Sequence, residues 1–292
     1  NAPSSTAIDL GTGRTAVAVS TGNSHTCAIL DNGDMKCWGR DSNGQLGVGY
    51  PVPNGYLNAP SSTAIDLGTG RTAVAVSAGG VHTCAILDNG DLKCWGYDYR
   101  GQLGNGGTNT NLNAPSSTAI DLGTGRTAVA VSAGGVHTCA ILDNGDLKCW
   151  GYDYRGQLGN GGTNTNLNAP SSTAIDLGTG RTAVAVSAAE SHTCAILDNG
   201  DLKCWGSDDY GMLGDGGGDT SLGAPSSTAI NLGTGQTAVA VSAGYSHTCA
   251  ILDNSDMKCW GRDLNGQLGN GGSITANQAS PVAVSGSNTW DS

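Results

Sequence analysis

Five times the chain sets a histidine, two cysteines ten residues apart and a tryptophan within one short stretch, first as His25-Thr-Cys27…Cys37-Trp38 and again from His82, His137, His192 and His247. Such a set could ligate a metal, activate a thiolate or close a disulfide. A structural zinc site needs four ligands, usually with a C-x-x-C spacing. That spacing is absent, and His25, Cys27 and Cys37 have no evident fourth ligand. A catalytic thiol is one special cysteine in its own environment, whereas these ten are equivalent. We therefore read Cys27–Cys37, Cys84–Cys94, Cys139–Cys149, Cys194–Cys204 and Cys249–Cys259 as disulfides, and expect no catalytic residue, no metal and no other cofactor.

Two hairpin registers can be drawn around the Asp-Asn-Gly between the cysteines. A two-residue Asn-Gly loop puts them on opposite faces. A three-residue loop, with its glycine left-handed in a bulge, sets Cys27 opposite Cys37. In a non-hydrogen-bonded pair the Cα atoms would then lie ~4.5 Å apart, near the short end of disulfide geometry. The second register accounts for both cysteines recurring together. In the last hairpin Ser255 stands where the other copies have glycine, so this hairpin should be the weakest. Asp31-Asn32-Gly33-Asp34 lacks the alternating oxygens and terminal Glu of a calcium loop and reads as turn chemistry.

Comparing the copies separates constant from variable positions. Before the histidine they read GNS, GGV, GGV, AES and GYS; after Trp-Gly they read RDSNGQ, YDYRGQ, YDYRGQ, SDDYGM and RDLNGQ. Both zones adjoin strand ends and should be loops. Their tyrosines, arginines and acidic residues suit protein or glycan contacts. The candidate binding residues are Arg40, Tyr97, Tyr99, Arg100, Tyr152, Tyr154, Arg155, Glu190, Asp209, Tyr210, Tyr245 and Arg262. The histidines are read as bonding backbone of their own or the next unit, and Trp38, Trp95, Trp150, Trp205 and Trp260 as packing residues.

The elements that hold these residues follow from an internal period. The segment NAPSSTAIDLGTGRTAVAVS starts at Asn1, Asn58, Asn113 and Asn168, and a close copy starts at Gly223. A spacing of about 55 residues means a propeller, solenoid or array. Within a unit SSTAIDL, TAVAVSAG, CAILD and DLKCWG read as short strands, and nothing shows a sustained helical period. Glycine, at 48 of 292 residues, fits many tight turns. The expected fold is all-β: a propeller of four-stranded blades, five repeats and one disulfide per blade. It forms a single domain over 1–292, with units near 1–57, 58–112, 113–167, 168–222 and 223–292. The outer strand occurs six times, near Ile8, Ile65, Ile120, Ile175, Ile230 and in SPVAV (280–284), against five hairpins; one is surplus.

A net charge of −11 without any Lys/Arg cluster argues against nucleic acid. No apolar run reaches the ~18 residues of a membrane span. Paired cysteines point to an oxidising compartment, so the expected location is extracellular, secreted or at the cell surface.

The run His-Thr-Cys-Ala-Ile-Leu-Asp-Asn-Gly-Asp-Leu-Lys-Cys-Trp-Gly, followed by Gly-Gln-Leu-Gly (101–104), resembles the regulator of chromosome condensation repeat, in particular its cysteine-bearing extracellular type. The resemblance implies a β-propeller, usually of seven blades. It also includes nucleotide-exchange proteins, whose nuclear or cytosolic setting the disulfides contradict, and β-lactamase inhibitors, which use such propellers as binding discs. The expected function is an extracellular structural protein, a surface, adhesion or filament subunit. The alternative is a secreted recognition module that binds a protein or glycan through the variable loops. No enzymatic constellation stands out.

Overall fold

The computed structural model describes residues 6–50, 52–107, 110–162, 164–272 and 276–285; the expected start at Asn1 and domain bound at Ser292 lie outside them. Blade one holds β1 (Ala16–Thr21), β2 (His25–Leu30), β3 (Met35–Arg40) and β4 (Tyr56–Leu57), and blade two β5 (Ala73–Ala78), β6 (His82–Leu87) and β7 (Leu92–Gly96). Blade three holds β8 (Ala128–Ala133), β9 (His137–Leu142) and β10 (Leu147–Gly151), and blade four β11 (Ala183–Ala188), β12 (His192–Leu197) and β13 (Leu202–Gly206). Blade five holds β14 (Ala238–Ala243), β15 (His247–Leu252), β16 (Met257–Gly261) and β17 (Gln278–Ala283). All pairings are antiparallel, and the first strand of each blade lies beside the first strand of the next.

The three-residue hairpin is the one formed. Cys27 pairs with Cys37 and Ile29 with Met35, Leu30 N–H donates to Asp34 O at 2.8 Å, and Gly33 takes φ +79°. All five expected disulfides are closed, with Cα separations of 4.0–4.1 Å, short as in a non-hydrogen-bonded pair. Ser255 adopts φ +69° in the place of the turn glycine.

The alternation Cys-Ala-Ile-Leu buries both faces of β6, β9 and β12, because each of these hairpins is enclosed on both sides by a neighbouring blade. Cys27, Ile29, Met35 and Cys37 form one wall of the first interblade core; Ala73, Ala85, Leu87 and Trp95 of blade two form the other. The pattern repeats at each later junction. Among the described residues four such cores serve five blades, so one face of the first blade and one of the last have no blade against them. Ile251 is accordingly 38% exposed, while its counterparts Ile29, Ile86, Ile141 and Ile196 are each 2% exposed.

The outer strands are shorter than their alternation predicts. In blades two to four the outer position is held by single bridges, Gly96–Leu112, Gly151–Leu167 and Gly206–Leu222, plus isolated backbone bonds such as Ile120 N–H to Leu92 O at 2.9 Å. The proline of each opening segment has no amide to give, and a local turn, Thr118 N–H to Ser116 Oγ at 3.2 Å, interrupts the ladder. The sheets therefore carry three or four strands. Each outer position is filled by the start of the following repeat, which makes the first copy the surplus one: Ile8 is 57% exposed, Ile65 5%. Among the described residues no helix is long and apolar enough to cross a membrane.

Candidate functional site

Strand direction decides where the two variable zones go. The first strand of a blade ends, the second begins and the third ends at the same edge, so the loop before the histidine and the loop after Trp-Gly emerge side by side. One backbone bond joins the two in every blade: Arg40 N–H to Ser24 O at 2.8 Å, Tyr97 to Val81 and Tyr152 to Val136 at 3.0 Å, and Ser207 to Ser191 and Arg262 to Ser246 at 2.9 Å. The variable residues therefore share one face, called here the loop face. The opposite edge carries the Asp-Asn-Gly turns and repeats almost without change, with Arg14–Asp31 and Arg71–Asp88 at 3.2 Å, Arg126–Asp143 at 3.3 Å and Arg181–Asp198 at 3.2 Å.

On the loop face most of the candidate residues meet. Arg100 lies 5.6 Å from the ring centre of Tyr99 and 4.9 Å from that of Tyr152 on the next blade. The Tyr97 and Tyr99 rings are 6.3 Å apart, and Tyr152 and Tyr154 stack at 6.2 Å. Arg155 covers Tyr154 at 5.7 Å and pairs with Asp209 of blade four at 3.2 Å; Arg262 of blade five covers Tyr210 at 5.2 Å. A strip of stacked tyrosine and guanidinium thus crosses blades two to five, with Tyr99 and Tyr154 exposed. Each guanidinium on a ring gains cation–π attraction and is held in place before any ligand arrives. Glu190 and Tyr245 sit apart from this strip, at a cavity of about 230 Å³ at the hub to which all five blades contribute, Gly79 and Gly134 among them. Arg40 also stands apart, its Nε donating to Ser42 Oγ at 2.7 Å.

Beneath the loops the polar groups are buried and hydrogen-bonded. Asp98 Oδ1 accepts Leu103 N–H at 3.0 Å, as Asp153 does for Leu158, and the loops close around these buried carboxylates. Burial raises Asp153 and Asp208 to about 6. Trp95, Trp150, Trp205 and Trp260 are fully buried, and each Nε1 also donates to the preceding blade, Trp95 to Gln45 O at 3.1 Å and Trp150 to Gln102 O at 3.0 Å. Gly47, at φ +72°, admits that ring; a Cβ there would sit 2.4 Å from Trp95 Nε1.

The histidines do bond the next blade, but through a hydroxyl and not the backbone: His25 Nε2 to Thr83 Oγ1, His82 to Thr138, His137 to Thr193 and His192 to Thr248, each at 2.8 Å. Burial lowers His25 and His137 to about 4 and His82 and His192 to about 3. Sequence reasoning missed the threonines, although one follows each histidine directly in all five copies. Among the described residues no cluster of three or more His, Cys, Asp or Glu could hold a metal ion.

Residues 1–291 match the family described as the RCC1-like domain. The Arabidopsis thaliana ultraviolet-B receptor UVR8 is 31% identical over 264 residues, covering 89% of this chain and 56% of the receptor. The human E3 ubiquitin-protein ligase HERC2 is 28% identical over 275 residues, 94% of this chain and 5% of the ligase. The chain thus spans little more than half of the first of these relatives. Among solved structures, Prp20p from Saccharomyces cerevisiae superposes with TM-score 0.78 at 19% identity, covering 95% of this chain and 65% of that one. The ectodomain of the Physcomitrella patens receptor kinase CR4 superposes with TM-score 0.52 at 19% identity, over 86% of this chain and 52% of that one.

Proposed function

The chain belongs to the RCC1-like domain family, and from that premise we propose that it is a secreted or cell-surface recognition module whose loop face binds a protein. One observation carries this reading: the two variable zones of otherwise near-identical copies share a single face, where they build a stacked Tyr–Arg strip across four blades. Tyrosine and arginine are the side chains that most often dominate protein interfaces. At fold level the reading agrees with yeast Prp20p, a propeller described with its binding to Gsp1p and histones. Five disulfides, with no free cysteine among the described residues, support an oxidising location. The single domain runs through all five units.

The test is capture from the native extracellular fluid, scored by mass spectrometry. Tyr99→Ala with Tyr154→Ala should abolish capture of a specific protein, and Asp91→Asn with Asp146→Asn on the turn face should leave it intact. Equal loss from both pairs would sink the proposal, and capture of a glycan instead would move the partner to that class. A second reading, a surface, adhesion or filament subunit, draws on the uncovered faces of the end blades.

A further inference from the structure

In blades two to four the outer segment is too long for the strand it borders. Residues 112–120 cover only 92–96 of β7, held at the ends by the Gly96–Leu112 bridge and by Ile120 N–H to Leu92 O. Residues 167–175 and 222–230 do the same over 147–151 and 202–206. Blade five spans the equivalent 257–261 with 278–284 only, and there Val282 pairs with Cys259. The longer segments must arch outward between their two anchors. Each arch carries a pair of hydroxyls: Ser116 Oγ lies 3.0 Å from Thr118 Oγ1, Ser171 is equally close to Thr173, and Ser226 and Thr228 are 3.1 Å apart.

Under each arch lies a cavity, of about 260 Å³ in blade two, 310 Å³ in blade three and 420 Å³ in blade four, lined in part by those hydroxyl residues. The middle of the third strand is bare there. Cys84 and Cys94 form a non-hydrogen-bonded pair with Cα atoms 4.0 Å apart, so the Cys94 N–H and C=O both point away from β6 and toward the arch. Among the described residues neither group bonds the outer segment, and the same holds for Cys149 and Cys204. Each of these three cysteines keeps 4% exposure, against 2% for Cys259 beneath β17. One donor and one acceptor thus recur on a common edge in three successive blades.

That set selects its ligand. A secondary amide holds its N–H and C=O on opposite sides and cannot meet both groups of Cys94. Two neighbouring hydroxyls can: one oxygen accepts from the amide while the other donates to the carbonyl. Ser116 and Thr118 offer further partners of the same kind. Asp121, Asp176 and Asp215, one lining each cavity, disfavour phosphate, sulfate or carboxylate. The volumes sit near the low end of small-molecule sites, about 300–1,000 Å³, which suits one ring. We propose that the three cavities are equivalent sites for a neutral saccharide unit, bound through a vicinal diol at the Cys94, Cys149 and Cys204 backbone. They share no residue with the Tyr–Arg strip, and a glycan carrying several such units gains avidity from their repetition.

Amide NMR of the whole protein, titrated with the methyl glycosides of glucose, galactose and mannose, tests the sites directly. The Cys94, Cys149 and Cys204 amides should shift together while that of Cys259 stays in place. Each monosaccharide should bind weakly, and an immobilised β-glucan or galactomannan should retain the protein roughly a hundredfold more tightly. Ser116→Ala and Thr118→Val, made together with the same changes at Ser171, Thr173, Ser226 and Thr228, should weaken that retention roughly tenfold or more at an unchanged melting temperature. Should the combined variant melt early, Thr173→Val alone takes its place and should lower retention severalfold. Tyr99→Ala with Tyr154→Ala should leave retention intact, which separates these sites from the loop face. Three outcomes would overturn the proposal: no shift of the three amides with any of the sugars, retention that survives the hydroxyl substitutions, or retention lost with the tyrosine pair.

Discussion

Thr138 Oγ1 lies 2.8 Å from His82 Nε2 and 2.8 Å from Gln102 O. The carbonyl can only accept, so it takes the single hydroxyl proton, and the imidazole must be the donor to the threonine. His82 is therefore the neutral tautomer with its proton on Nε2. Its Nδ1 is buried without a partner among the described residues. The same reasoning fixes His25, His137 and His192.

These imidazoles make the fold acid-sensitive. They stay neutral in the folded chain down to about 3–4 but take up a proton near 6.5 once unfolded. The unfolded state then binds more protons, so their contribution is complete above pH 6.5 and is lost as the pH falls toward 4. At pH 5 each fully buried ring forfeits roughly 2 kcal/mol. Asp153 and Asp208, raised to about 6, act in the opposite sense: their penalty is present above pH 6 and fades as the pH drops to 3.8. Burial also raises Asp41 and Asp98 and lowers His247; the four buried histidines, moved furthest, outweigh the aspartates, so calorimetry should show a melting temperature level above neutrality and falling steeply below pH 6. Thr138→Val, which strands a buried N–H, should lower stability by about 1–3 kcal/mol at neutral pH.

The disulfides should not open together. Cys84, Cys139 and Cys194 are fully buried between blades, whereas Cys249 faces the uncovered side of blade five and is only partly buried. Graded reduction followed by alkylation and mass spectrometry should find Cys249–Cys259 modified first. Replacing Cys139 and Cys149 with alanine closes no new loop and should cost at most about 3 kcal/mol, read from urea denaturation.

Ser255→Gly should stabilise the last hairpin. Serine at φ +69° occupies a region costing an L-residue roughly 1 kcal/mol, which glycine enters freely. In a repeat array the end unit opens partly by itself. The gain should therefore appear as slower amide exchange in β15 and β16, with little change in blades two and three.

Much of this architecture was legible because it is local. The ten-residue cysteine spacing and the turn glycine fix the hairpin register without any long-range term, and tryptophans recurring at one register announce a common packing site. The outer strand misled, since the alternation in SSTAIDL is real but the proline and serine turn before it break the ladder. The His–Thr bonds were illegible for a different reason: they join residues 56–58 apart, across blades, and only the stacking of one unit on the next brings them together. Convergence of Tyr99, Arg100 and Tyr152 was half visible. Strand direction puts both variable loops on one edge, but which ring meets which guanidinium depends on the angle between blades.

Stability and recognition should separate cleanly by residue. Arg155 and Asp209 pair at 3.2 Å with side chains 43% and 42% exposed, and such surface pairs contribute less than about 1 kcal/mol. Arg155→Ala or Arg100→Ala should leave the melting temperature within a degree or two while weakening capture of the loop-face partner, because a guanidinium already stacked on tyrosine is a preorganised contact. Trp205→Ala, removing a fully buried ring that anchors blade four to blade three, should cost about 3–5 kcal/mol. Its effect on binding should vanish when compared at equal folded fraction. Melting curves run beside surface plasmon resonance decide the matter: an Arg100→Ala variant that melts early, or binds as well as the parent, would show that the strip holds blades together and does not meet a partner.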